Sequence, residues 1–286
     1  VSAGAVLRGG VGYLTQAIDI DPALAILALG GALTLVAVIG VMESLSLAAV
    51  FTVIELAGLG LVIWAGMSAE PSADWQAPQP IVWTGIGFGA VLAFFAFIGF
   101  EDIVNMAEEV NRPETTMPRA ILISLGVTSV IYALVCLAAV RAVPVSALQG
   151  SSSPLTLVWQ SARGGGGEFL SGIAVFAALN GVLAQIVMAA RVLFGLGRRS
   201  PALALFHHAS PRFGTPVLAT VLIGAAVVLA ALFVPFATLA EVTSSILLTV
   251  FVLVNLALIL QKRRDPQAPF RVPMAVPVVG LVLSLA

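Results

Sequence analysis

Phe94-Phe-Ala-Phe-Ile-Gly99-Phe-Glu101-Asp102, followed shortly by Glu108-Glu109-Val-Asn-Arg112-Pro113, is the stretch on which the reading of this sequence turns. It closes an apolar run that opens near Ile81. A continuous helix from Trp83 to Glu101 would be roughly 27 Å long, close to the thickness of a bilayer's hydrocarbon core, and could simply end at the carboxylates. Yet Ile103, Val104, Met106, Ala107 and Val110 continue the apolar pattern past Glu101, and Glu108 with Glu109 makes a better end at the water boundary. A helix from Trp83 to Val110 is too long to cross upright, whereas one interrupted near Gly99 fits. Two readings are open at this point. Either a helix stops at Glu101, or it breaks at Gly99 and its freed backbone N–H and C=O groups bind a substrate near the midplane.

The rest of the chain places this stretch in a membrane. Of 286 residues, 60% come from AVILMFWYC and 9% are charged, with a mean hydropathy of +1.10. A soluble domain carries roughly a quarter charged residues, so this chain lacks the polar side chains to cover a water-facing surface. The net charge of -1 gives no reason to expect a nucleic acid partner. The single cysteine, Cys136, excludes a disulfide framework and a thiolate metal cluster. No nucleophile–base pair, phosphate loop or metal-ligand spacing appears, so neither an enzyme nor a cofactor is expected. Val1 opens the chain without a methionine and Ala286 closes it inside an apolar stretch, so the chain reads as a fragment cut at both ends, without a signal peptide.

Seven stretches are long and apolar enough to span, at about 22–42, 44–67, 81–105, 119–142, 169–196, 215–236 and 239–261. Two partial ones lie before Ile18 and after Pro273. The runs lack the alternation of an outer-membrane barrel, so all are expected to be helices. Basic residues mark the cytoplasmic side. Nine fall on one set of alternate connections, from Arg112 and Arg119 through Arg198, Arg199 and Arg212 to Lys262, Arg263, Arg264 and Arg271. Arg191 lies near that side within a helix, and Arg8, Arg141 and Arg163 are left for the other, where all four tryptophans also fall. The turn around Met42 and Glu43 is an exception, with no Lys or Arg. The longest connection, Val143 to Gly167, reads either as a flexible external linker or as an external lid with a short helix around Leu155 to Ser161. His207 and His208 lie in a basic loop and are expected to be solvated.

Intramembrane charges are costly, on the order of 2.5 to 3.5 kcal/mol each on insertion scales, and so are the first functional candidates. Glu55, mid-way along the 44–67 run, must be protonated, paired or facing water. It is either a neutral carboxyl bonded to a neighbouring helix or a proton-coupling group. Asn180, Gln185 and Asn255 read as interhelical hydrogen-bond donors, and Gly85, Gly87 and Gly89 as sites of close helix packing.

The stretch from Phe94 to Pro113, continued through Met117-Pro-Arg-Ala-Ile121, resembles the sixth-helix signature of the amino acid, polyamine and organocation permease superfamily. Three further blocks resemble the same family in the same order: Gly40-Val-Met-Glu-Ser, Ala190-Arg-Val-Leu-Phe-Gly195 through Pro211-Arg-Phe-Gly-Thr-Pro216, and Pro269-Phe-Arg-Val-Pro273. The resemblance implies an all-α polytopic membrane protein of the inverted-repeat, leucine-transporter-like fold, with the first repeat truncated. On that mapping, residues 1–80 hold the end of helix three with helices four and five, 81–261 the second repeat (helices six to ten), and 262–286 a cytoplasmic loop and the start of helix eleven. Helices one and two would be missing. Carried over position by position, Ala96, Phe97, Ile98 and Gly99 look like the unwound segment that contacts a bound amino acid, and Phe95 like an aromatic that closes over it. Glu101 matches an acidic position tied to gating or proton linkage, Glu55 a position near the cation-site region, and Gln185 a position where helix eight lines the site. The family often carries an acidic residue and a glycine after helix eight, where this chain has Arg198, Arg199 and Ser200. The implied function is secondary active transport of an amino acid or related amine in the cell membrane. Proton-coupled symport is favoured, with exchange or nutrient sensing on the same scaffold as alternatives. Its partners would be the substrate, the proton and the lipid bilayer.

Overall fold

The computed structural model describes residues 1–40, 45–77, 81–101, 103–104, 110–264 and 272–285. Among them there is no strand, as long apolar runs without alternation require. The helices are α1 (Ser2–Ala17), α2 (Pro22–Ile39), α3 (Leu45–Ser68), the one-turn α4 (Ala73–Gln76), α5 (Trp83–Ala96) and α6 (Pro113–Ala142). The short α7 (Val145–Gly150) and α8 (Pro154–Arg163) precede α9 (Glu168–Arg199), a 3-10 turn over Pro201–Phe206, α10 (Val217–Phe233), α11 (Phe236–Arg264) and α12 (Ala275–Leu285).

Among the described residues, five helical segments are long and apolar enough to cross a membrane: Pro22–Ile39, Ala49–Ser68, Pro113–Ala142, Glu168–Arg199 and Phe236–Lys262. Their outward surface is apolar. In α6 none of the most hydrophobic window is buried, and Leu122 is 67% exposed. Such a surface suits lipid rather than water.

Two of the seven expected spans come out as helices too short to cross. The 81–105 run is not one helix, since α5 stops at Ala96. The 215–236 run yields only the 17 residues of α10, which ends where Val234 turns extended (φ -112°, ψ 131°) ahead of Pro235. A proline disfavours the helical conformation in the residue before it. Conversely, α6 begins at Pro113 rather than at 119, with a proline ring already set for the first turn.

Packing divides the chain into two compact units, Val1–Pro80 with Ala133–Leu239, and Ile81–Tyr132 with Ala240–Ala286. In the first, α1, α2, α9 and α10 close around Leu7, Val182 and Ile186, all fully buried. Between helices in lipid there is little hydrophobic drive, so small residues supply close contact. A Cβ added at Gly10 would lie 2.5 Å from the Ala178 Cβ, one at Gly66 2.7 Å from the Ala138 carbonyl oxygen, and one at Gly224 would collide with the Thr34 side chain.

A second cluster, Val62, Ala142, Val143, Val158 and Leu170, lies beneath α8. The 143–167 stretch is therefore no plain linker: α8 buries Val158 and Thr156, and the Thr156 and Ser171 hydroxyls meet at 3.0 Å. The three arginines set apart by the charge pattern all serve this unit. Arg141 Nη1 donates to the carbonyls of Gly66 (3.0 Å), Met67 (2.8 Å) and Ala69 (2.7 Å) at the C-terminus of α3. Arg8 Nη1 donates to the Ala231 carbonyl (2.6 Å) near the end of α10. Arg163 lies 3.8 Å over the Trp64 ring and donates to the Ser68 hydroxyl (3.1 Å). Each cation sits where a helix's orphan carbonyls and negative dipole end gather.

In the second unit a Cβ at Gly87 or Gly89 would meet nothing within 4 Å among the described residues. The close approach in this unit is instead at Gly280, where a Cβ would lie 2.7 Å from Asn255 Oδ1. Asn255 itself donates to the Phe251 carbonyl of its own helix (2.8 Å) rather than across a helix pair.

Candidate functional site

The end of α5 is built from its own residues. Past Ala96 the chain tightens into a turn, with Phe97 N–H donating to the Phe94 carbonyl (3.0 Å) and Ile98 N–H to that of Phe95 (3.2 Å). At Gly99 the backbone takes φ +125°, a region L side chains rarely adopt. A Cβ there would meet nothing within 4 Å among the described residues, so the demand for glycine that they show is torsional. Of the two sequence readings, the helix that runs on to Glu101 is excluded, since α5 stops at Ala96 and the backbone turns at Gly99.

Interruption frees backbone groups, which must find partners in a low-dielectric setting. The Gly99 N–H donates to Glu101 Oε2 (2.9 Å), so the carboxylate two residues on folds back over the break. The Ala96 carbonyl accepts from the Tyr132 hydroxyl of α6 (2.9 Å), and the Tyr132 ring meets Phe97 edge-on at 5.2 Å. On the α11 side, Phe251 packs at 5.9 Å against Phe94 and 5.8 Å against Phe100, one ring from each side of the break. The buried Ser244 donates to the Val91 carbonyl (3.0 Å), tying α11 to α5 one turn earlier. Edge-to-face pairs of this kind contribute about 0.5–1.5 kcal/mol each beyond the area they bury.

Phe95, Ala96, Phe97, Ile98, Gly99 and Glu101 thus lie together in the second unit. Glu55 and Gln185 belong to the first. Glu55 lies four residues after Phe51, whose ring stacks on Phe176 of α9 at 6.5 Å, and three before Gly58, where a Cβ would lie 3.3 Å from Ile173. Those spacings put Glu55 on the stripe of α3 that faces α9. It is half-buried, with no hydrogen bond from its carboxyl to the described residues. Gln185 is nine residues beyond Phe176, about 13 Å further along α9, so it is not level with Glu55. Neither Asn180 nor Gln185 makes a side-chain hydrogen bond among the described residues; Asn180 instead lines a cavity of about 510 Å³ together with Arg191, Phe194, Thr215 and Thr220. Asp102, Glu43, Glu108, Glu109 and Arg271 lie outside the described residues.

Sequence reasoning missed Tyr132, Ser244 and Phe251. Tyr132 had a signal, as one of two tyrosines in the chain and set within a spanning run. A buried phenol normally finds a hydrogen-bond acceptor. Ser244 and Phe251 carry no such mark, because their partners are backbone and rings on a distant segment. Among the described residues no group of three or more His, Cys, Asp or Glu side chains is placed to hold a metal ion.

A sequence profile described as amino acid permease matches residues 10–286. The chain is 29% identical to a branched-chain amino acid permease of Bacillus subtilis (strain 168) over 88% of its own length and 55% of the relative's. It is 30% identical to a methylthioribose transporter of the same organism over 97% of its length and 60% of the relative's, and 27% identical to a vacuolar cationic amino acid transporter of Arabidopsis thaliana over 79% and 38%. The chain therefore spans a little over half the length of these two bacterial relatives. With its apolar helices and the interrupted α5, this multi-pass integral membrane protein belongs to the amino acid permease family.

Proposed function

We propose that this chain forms part of a secondary active transporter that moves an amino acid or a related amine across the cell membrane by alternating access, coupled to protons and without covalent chemistry. The observation that carries this reading is the interruption of α5 between Ala96 and Glu101, in a chain of this family. Residues 81–261 would form the second of two inverted repeats, and residues 1–80 the remainder of the first. The relatives are named for branched-chain amino acids, cationic amino acids and methylthioribose, the last of which carries neither an ammonium nor a carboxylate.

Ala96, Phe97, Ile98 and Gly99 would present the backbone to the substrate, with Phe95 closing over it. The Gly99 N–H, held by Glu101, gives coupling a physical form. A charged carboxylate is a stronger acceptor than a protonated one. Proton arrival at Glu101 weakens its hold on the Gly99 N–H and frees that donor for a substrate carboxylate. Proton and substrate then favour the same state, which is what linkage requires. Glu55 would act as a second group that changes protonation as water access alternates.

The test uses the full-length protein in proteoliposomes with empty interiors and a panel of radiolabelled amino acids, with and without an inward proton gradient. Accumulation under the gradient only is the expected result. Glu101→Gln, which keeps an acceptor for Gly99 N–H, should retain binding and lose the response to the gradient. Equal loss of binding and uptake would remove Glu101 from the coupling role, and uptake that requires internal amino acid would replace symport with exchange.

A further inference from the structure

At one end of the first unit, where α1 and α10 end and α2 begins, lies a cavity of about 950 Å³. That volume is at the upper end of what small-molecule sites occupy. Its wall includes Arg8, Tyr13, Asp21, Ile26, Leu232 and Phe236, and the Ser151–Pro154 connection borders it. The room comes from α1, whose Gly9 and Gly12 present no side chain: a Cβ at Gly9 would sit 3.6 Å from the Phe236 ring, and one at Gly12 3.0 Å from the Ser152 carbonyl.

The charges on this wall are unbalanced locally. Arg8 is half-buried and always protonated. Nη1 reaches the Ala231 carbonyl at 2.6 Å and the Leu232 carbonyl at 3.4 Å, and no carboxylate among the described residues pairs with it. Two carbonyls take up donors without cancelling the charge. Asp21 holds the Leu24 N–H with Oδ1 (3.0 Å) as the cap of α2, and its second oxygen makes no hydrogen bond to the described residues. One wall of the cavity thus carries a cation and an anion that make no ion pair with the described residues, between apolar surfaces of Ile26, Leu232 and Phe236.

The geometry points to this cavity as a binding site for a small zwitterion, distinct from the interrupted helix of the second unit. Arg8 receives the anionic group, Asp21 the ammonium, and Leu232 with Phe236 the apolar remainder. A free amino acid and the headgroup of a zwitterionic phospholipid share this chemistry. The site needs no transport to be occupied and so does not rest on the reading of α5.

Ala23 lines the cavity and is exposed, which makes it a reporter position. The full-length protein carrying Cys136→Ser and Ala23→Cys is reconstituted in phosphatidylcholine liposomes and labelled with a membrane-impermeant sulfonated thiol reagent from each side. Saturating L-leucine should slow labelling roughly tenfold, the change expected where nine-tenths of sites are filled. Asp21→Asn keeps the helix cap and removes the charge, and should abolish the protection. Gly99→Val, which disables the interrupted helix alone, should leave it intact. If leucine has no effect but labelling is slower in phosphatidylethanolamine than in phosphatidylcholine vesicles, and Asp21→Asn removes that difference, the zwitterion is the lipid headgroup. Protection that survives Asp21→Asn and disappears in Gly99→Val would be transmitted from α5 and would overturn the site, as would no slowing under any condition.

Discussion

Two helices of this chain are finished in opposite ways. The C-terminus of α3 is held by one guanidinium on three carbonyls, with a second arginine on the neighbouring Trp64 ring and Ser68 hydroxyl. The C-terminus of α5 is held by one phenolic hydroxyl on Ala96 and by a carboxylate two residues away that grips Gly99. The first arrangement neutralises the helix end with permanent charge from another element and leaves it one geometry. The second relies on a neutral donor and a titratable acceptor within the same segment, so the bonds can be exchanged for those of a ligand. An end of the first kind is a fixture, and one of the second kind is suited to a site that must open and close.

The largest effect should come from Gly99→Val. The φ of +125° is closed to a β-branched residue, and holding one there costs on the order of 1–3 kcal/mol. Substrate binding to the full-length protein, measured by scintillation proximity, should fall below detection while the protein still elutes as a single folded species. Normal affinity would show that the turn is not part of the site.

Arg141→Gln comes next and strikes the other end. Hydrogen bonds to a charged donor are worth about 1.5–3 kcal/mol each, and an amide can replace at most one or two of the three. The melting temperature in detergent should drop by several degrees, with affinity for substrate at the remaining folded fraction unchanged. A fall in affinity without a fall in stability would erase the contrast between the two ends.

Tyr132→Phe removes one hydroxyl from the α5 end and keeps the ring on Phe97. About 1 kcal/mol for one neutral hydrogen bond corresponds to roughly a fivefold weaker Kd, measurable by the same binding assay, with thermal stability little changed. The smallest effect is expected of Arg163→Gln. It loses a cation–π contact worth about 0.5–1 kcal/mol at an exposed site, a shift of a degree or two in melting temperature and none in binding.

Much of the α5 end was readable from residues 94–113. Apolar positions on both sides of Glu101, and a glycine in a run too long to cross upright, argued for an interruption, and the glycine carries the positive φ. The α3 end was not readable. Arg141 stands out only as a cation on the unexpected side, and nothing local says that its partners are carbonyls more than seventy residues earlier. Glycines misled in the same way. Gly85, Gly87 and Gly89 form a regular series and meet no close contact among the described residues, whereas the isolated Gly66 lies against α6 and Gly10 against α9. A small residue permits close approach, but only the neighbouring element decides whether approach occurs.

Composition and run length were enough to establish a helical membrane protein, because in lipid every backbone hydrogen bond must be made within a segment, and segment length is a local property. Proline and glycine positions were enough for several helix ends, since they act through the backbone torsions of one or two residues. The partners at those ends were beyond the reach of the one-dimensional chain. Tyr132 on Ala96, Ser244 on Val91, Arg141 on the last turn of α3 and Arg8 on the end of α10 each join segments distant in sequence. Which polar groups meet depends on how whole helices pack, and packing is a property of surfaces assembled from residues far apart along the chain.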